Sequence, residues 1–170
     1  RPPRSTLFPY TTLFRSDPEL ESKLLKLLND NDLTTDDMLL EITESAYADN
    51  TSGLSDVVDG LREKGFKIEM DDFGSGYSSL NMLTEVTIDA LKIDMRFIRN
   101  MCKDDKSRRM VKLIIDIAKF LKVPTVAEGV EDGVQVSILK EMGCDLIQGY
   151  YFSKPVPPEE FEKLIEAEMQ

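Results

Sequence analysis

From Asp17 onward, short apolar runs alternate with amphipathic helical stretches, and each run ends at or near a polar residue. Leu20, Leu24, Leu27 and Leu28 recur at helical spacing, which predicts a helix over 18–30. An apolar run follows at 38–43, then a helix at 51–64 that ends on Gly65 in a C-cap position. Further on, the pattern predicts a strand at 66–71, a Gly/Ser loop with a short helix at 72–84, and a strand at 88–93. A helix at 106–121, with Met110, Leu113, Ile114, Ile117 and Leu121 as core packing, leads to a strand at 124–127. A helix at 132–142 stops before Gly143, a strand follows at 145–148, and a helix at 157–168 starts behind Pro157 and Pro158. Strands alternating with helices form right-handed β–α units around a parallel sheet. Five such units are present, preceded by one helix. A complete (β/α)8 barrel needs about 250 residues. The expected fold class is therefore α/β, a partial TIM-type (β/α)8 barrel of about five C-terminal β–α units.

Residues 1–16 depart from this rhythm. They hold three Arg and no acid, and they repeat themselves as STLFPY and TTLFRS. The segment lacks the continuous apolar core of a signal peptide. It is expected to be a non-native leader, a cloning or sequence-assembly scar; the alternative is a displaced native strand. The domain proper is expected over 17–170. Those residues carry 18 Lys and Arg against 32 Asp and Glu, a net of −14. Such a balance argues against nucleic acid, whose binding relies on clustered cations. A phosphorylated ligand is compatible with it if metal ions bridge the negative partners. No apolar run approaches the roughly 18–20 residues that cross a bilayer, so no membrane contact is expected of this segment. Cys102 and Cys144 stand in unrelated contexts and read as free thiols of a reducing cytoplasm. The expected location is cytoplasmic, whether or not a longer parent carries a membrane anchor. The chain has no His, so acid–base chemistry falls to Asp, Glu, Lys or metal-bound water.

The strand ends carry that chemistry. In chain order they deliver Glu41, the vicinal pair Asp71 and Asp72, Lys92 with Asp94, Glu128, and Gln148. In parallel barrels the C-terminal rim hosts the active site, assembled from several strands. A single acid at such a position is usually a solvated residue, but five strands in succession point to a shared site. Grouped carboxylates need cations to neutralise them. Hard oxygen donors without His or paired Cys favour Mg²⁺ or Mn²⁺ over Zn²⁺, and a two-metal centre suits in-line displacement at phosphorus. The GSG at 74–76 lacks the pattern of a nucleotide P-loop. Its glycines let the chain turn sharply after the strand. Adjacent residues on a regular strand face opposite ways, so Asp71 and Asp72 need a local distortion to serve one site. Lys92 either snorkels from an apolar strand or orients an attacking water. Glu44 either lies on the surface or holds the Gly-rich loop through its backbone amides.

Five blocks in order, EITES (41–45), DDFGSGYSSL (71–80), LKIDMRFI (91–98), VAEGVE (126–131) and QGYYFSKP (148–155), resemble the motifs of the EAL family of cyclic-di-GMP phosphodiesterases. The resemblance implies hydrolysis of cyclic-di-GMP to linear pGpG by a Mg²⁺- or Mn²⁺-dependent barrel in bacterial signalling. It implies Glu41, Asp71 and Asp72 as metal ligands, with Asp71 shared between two metals. Lys92 and Glu128 become the catalytic pair, one contacting the water and the other acting as base or metal support. Asp94 and Gln148 bind substrate or water, and Glu44 and Glu131 stabilise the loop after Asp72. A homodimer of the intact protein, with GGDEF or sensory domains upstream, is implied as well. The sequence departs from the family in one respect: neither the Glu of the E-A-L motif nor the metal-binding Asn of the next strand is found before Asp17. The expected chain is therefore a truncated domain, an inactive fragment of a phosphodiesterase. The competing expectations are a receptor that binds cyclic-di-GMP without cleaving it, and an acid-rimmed barrel of the enolase-type lyases.

Overall fold

The computed structural model describes residue 17 and residues 19–44, 51–74 and 86–168. The expectations for the leader at 1–16, and for most of the loop and short helix at 72–84, fall outside these residues. The elements run α1 (Leu20–Asp30), a 3₁₀ turn (Thr35–Asp37), β1 (Leu39–Thr43), α2 (Thr51–Glu63), β2 (Lys67–Phe73) and β3 (Ala90–Ile93). They continue with α3 (Met95–Asn100), α4 (Asp105–Leu121), β4 (Thr125–Ala127), α5 (Gly133–Met142), β5 (Leu146–Ile147) and α6 (Pro158–Glu168).

The five strands form one sheet in the order β1-β2-β3-β4-β5, and every neighbouring pair is parallel. Each strand thus pairs with the next in sequence, as successive staves of a (β/α)8 barrel wall do. The expected fold class holds. Period-two alternation then divides the strands between two environments. Ile68 and Met70 of β2, Leu91 and Ile93 of β3, and Ala127 of β4 point one way and are fully buried. They join one core with Val58 and Leu61 of α2, Val111, Ile114 and Ile115 of α4, and Leu139 of α5. Each large side chain removed from water there contributes about 1.5–3 kcal/mol. Residues at the alternate positions face the barrel interior, and Glu41, Glu69, Asp71 and Lys92 are among them.

Helix ends follow their sequence signals. Asp104 caps α4 by accepting hydrogen bonds from the backbone amides of Lys106 and Ser107. Asp132 and Gln135 form a capping box on α5, which ends at Gly143 with φ 76°. Two features differ from expectation. Leu113 is about half exposed, because the apolar stripe of α4 runs through Val111, Ile114, Ile115 and Ala118 and leaves Leu113 outside it. Helix α3 lies within a stretch from which no helix was expected, directly after β3, and Asp94 caps it. Among the described residues no helix is long and apolar enough to cross a membrane.

Candidate functional site

Glu41, Asp71, Lys92 and Glu128 come from β1, β2, β3 and the end of β4, and the structure brings their side chains together. The Lys92 ammonium lies 3.1 Å from Glu41 Oε1, 3.5 Å from Asp71 Oδ1 and 3.5 Å from Glu128 Oε2. The side chain of Lys92 is 8% exposed, so it does not snorkel. Burial alone would lower its pKa. The hydrogen bond to Glu41 and the charges of Asp71 and Glu128 outweigh burial and hold it well above its ordinary value. Lys92 is therefore held in its cationic form, donating a hydrogen bond to Glu41.

The vicinal aspartates reach one site through a β-bulge. Met70 pairs with Leu91 and Phe73 pairs with Ile93, which leaves Asp71 and Asp72 opposite the single residue Lys92. Asp72 takes φ 57°, a left-handed conformation that Asp tolerates better than most residues. Its backbone amide donates to Asp71 Oδ1 at 2.8 Å. Burial raises the Asp72 carboxyl, and Asp71, Asp94 and Glu128 raise it further. The bulge supplies the distortion that the sequence requires. Immediately beyond it, Gly74 has φ 93°, and a Cβ there would sit 2.7 Å from the Phe97 ring. Glu44, 1% exposed, accepts a hydrogen bond from the Gly74 amide at 3.0 Å. This places Glu44 against the start of the Gly-rich loop, whose residues 75–80 lie outside the described ones.

The remaining candidates are placed differently. Asp94 is 3% exposed and caps α3; its carboxylate accepts from the Arg96 backbone amide at 2.7 Å and from Arg96 Nε at 2.8 Å. Asp94 thus faces the Asp72 side of the site with its oxygens engaged by Arg96. Glu131 pairs with Arg99, Nη2 to Oε1 at 2.9 Å, on the rim of a neighbouring cleft. That cleft has a volume of about 560 Å³ and is lined by Glu128, Gln148, Arg99, Glu131, Tyr150 and Phe161 among others. Gln148 is set by its backbone: its amide donates to Ala127 O at 2.9 Å, and its carbonyl accepts from Val130 N at 3.2 Å.

One inward-facing acid escaped the sequence reading. Glu69 lies two residues before Asp71 on β2, in register with Glu41, and is 4% exposed. Its carboxyl is raised by burial; Lys92 lowers it, while Glu41, Asp71 and Glu128 raise it. The period of two along a strand, which puts residues 69 and 71 on one face, would have identified it.

The donor set fits hard divalent cations. Glu41, Asp71 and Glu128 stand around the Lys92 ammonium, with Glu69 and Asp72 close by on β2, oxygen donors throughout; burial first, and then the neighbouring carboxylates, push Glu69 and Asp72 up. Among the described residues no three acids already close on one point; the Lys92 ammonium stands between them.

The EAL domain family model matches residues 14–155. Signaling protein YkoW of Bacillus subtilis is 43% identical over 126 residues, which is 74% of this chain and 16% of that protein. Cyclic di-GMP phosphodiesterase NbdA of Pseudomonas aeruginosa is 40% identical over 128 residues, 75% of this chain and 16% of that protein. The chain thus spans about a sixth of the length of these curated relatives. Among solved structures, the EAL enzyme Bd1971 in its cAMP and cyclic-di-GMP bound form superposes with a TM-score of 0.85 at 35% identity, covering 90% of this chain and 40% of that one. BlrP1 of Klebsiella pneumoniae, in a manganese and cyclic-di-GMP complex, gives a TM-score of 0.80 at 30% identity, covering 85% and 37%.

Proposed function

Because this chain belongs to the EAL domain family, we propose that it is the C-terminal portion of the EAL domain of a phosphodiesterase that hydrolyses cyclic-di-GMP to linear pGpG. The observation that carries this reading is the Lys92 ammonium within 3.5 Å of carboxylates from three different strands. Glu41, Asp71 and Asp72 would hold two divalent cations of the Mg²⁺ or Mn²⁺ type. When bound, such a pair lowers the pKa of a water and neutralises the entering and leaving oxygens of an in-line displacement. The manganese complex of the Klebsiella relative supports the choice of cation class.

The chain's own residues divide the remaining work. Lys92, held protonated, donates to the attacking water and orients it. Glu128, whose carboxylate lies beside Lys92, would take the water's proton. The water oxygen adds to phosphorus, one P–O3′ bond breaks, and the freed ribose oxygen takes a proton from solvent, into which Glu128 releases the one it received. Gln148 and Asp94 would bind water or substrate near this centre, and Glu44 holds the start of the Gly-rich loop. The cleft beside Glu128, with Tyr150 and Phe161 in its wall, offers apolar surface to a purine base. A homodimer and upstream GGDEF or sensory domains accompany this reading, and the much greater length of the curated relatives leaves room for such domains.

Chromatography of cyclic-di-GMP incubated with the longer protein and Mn²⁺ tests the proposal. Linear pGpG should accumulate, and EDTA should stop it. Binding without turnover would instead make the domain a receptor.

A further inference from the structure

Glu69 is flanked by Glu41 on β1 and by Ala90 on β3, its register partners on either side. On its own strand it shares a face with Asp71. It is 4% exposed, and its Oε1 has no hydrogen-bond partner among the described residues. The ion pairs of Lys92 go to Glu41, Asp71 and Glu128 instead. An enclosed carboxylate oxygen without a donor, beside two further carboxylates, is costly unless a cation completes it. An Ala or Gln at this position would avoid that cost without altering the strand. The acid is thus unexplained by packing, by capping or by the roles of its neighbours.

We propose that Glu69 is a metal ligand: Glu69 Oε1, with Glu41 and Asp71, forms an all-oxygen site for one divalent cation on the inner face of β1 and β2, deeper in the barrel than Asp72. This rests on the reading of the site as a divalent-metal centre and adds a carboxylate to it. Mg²⁺ and Mn²⁺ are the cations such donors select. The long side chain of Glu69 and the half-exposed side chain of Glu41 close on the ion by rotamer changes, and the Lys92 ammonium withdraws toward Glu128.

The test is Mn²⁺ titration of the full chain, read by the electron paramagnetic resonance of free Mn²⁺ and by the Mn²⁺-dependent rise in melting temperature. Wild type, Glu69→Gln and Asp71→Asn are compared, with Glu69→Ala as a second variant if the amide does not fold. Glu69→Gln should weaken Mn²⁺ binding by about fivefold or more and shrink the rise in melting temperature. It should also raise the melting temperature of the metal-free chain, since the unpartnered carboxylate is gone. A buried acid with only a structural cost would give that last change alone. If Glu69→Gln binds Mn²⁺ with a smaller loss while Asp71→Asn binds weakly, the Glu69 assignment falls and the metal centre stands. If wild type binds no Mn²⁺, both fall.

Discussion

Lys92 concentrates the problem of the site in one residue. It is the ammonium that partners Glu41, Asp71 and Glu128, and it is buried. Removing it leaves those carboxylates, and Glu69 beside them, without their shared cation. Lys92→Met should therefore lower stability by about 2 kcal/mol, the exposure of Glu41 keeping the loss below that of a fully buried pair. Added Mn²⁺ should reduce that loss, because a divalent ion neutralises the same oxygens. Urea unfolding with and without Mn²⁺ measures both effects, and a loss untouched by the metal would argue against carboxylates that share a cation. Most of this cluster was legible in the sequence, since Glu41, Asp71, Lys92 and Glu128 each stand at or near the end of an apolar run. Glu69 was not, because it lies inside the apolar run FKIEM rather than at its end, and the pairing of β2 shows which face it takes. Asp94 was legible as a residue near the site, but its work as the α3 cap was hidden: a six-residue helix shows too little periodicity to announce itself.

At the scale of elements, acids mark both rims of the sheet with different duties. On the C-terminal rim they gather around Lys92. On the N-terminal rim, the acid preceding one strand ties down the start of the strand before it. Asp89, just before β3, accepts from the Ile68 amide of β2 at 2.8 Å and pairs with Arg62. Asp145, just before β5, accepts from the Thr125 amide and from Thr125 Oγ1 of β4, each at 2.9 Å. On the proposed function the first rim serves chemistry, and the second serves stability. Thr125 is fully buried, so Asp145→Ala strands its amide and should cost about 1–3 kcal/mol. The backbone hydrogen bond from Thr125 holds the Asp145 carboxyl below its ordinary value of 3.8. A depressed acid stabilises above its unfolded value and loses that contribution as pH falls through the folded one. The difference between wild type and Asp145→Ala should thus be constant above about pH 5 and shrink below the unfolded value. Chemical unfolding across pH 3–7 reads this, and a difference that grows in acid would contradict the clasp. Sequence patterning gave the strands and long helices to within a residue or two, because burial of one face fixes their period. It misplaced Leu113, whose hydrophobicity matches the stripe of α4 while its angular position does not.

The described residues form five strands of a barrel wall, in order and parallel. That architecture follows from the alternation of strand and helix, which only a parallel sheet satisfies. The bulge at Asp71 and Asp72 does not follow from it: the sequence demanded a distortion there, but its form depends on how β2 and β3 pair across the sheet. A centre assembled on strand ends needs its neighbours fixed in position. The 170-residue chain by itself, with five strands and no E-A-L motif, should turn over cyclic-di-GMP far more slowly than the longer protein. Rates equal within about threefold, where a fully assembled centre gains orders of magnitude, would contradict this. The most direct measurement is hydrolysis of cyclic-di-GMP by the longer protein with Asp71 intact and with Asp71→Asn, each at saturating Mn²⁺. The account predicts pGpG from the first and a loss of turnover of about a thousandfold or more from the second, as expected when one charge-stabilising group of a preorganised site is removed. Undiminished hydrolysis by Asp71→Asn would contradict it.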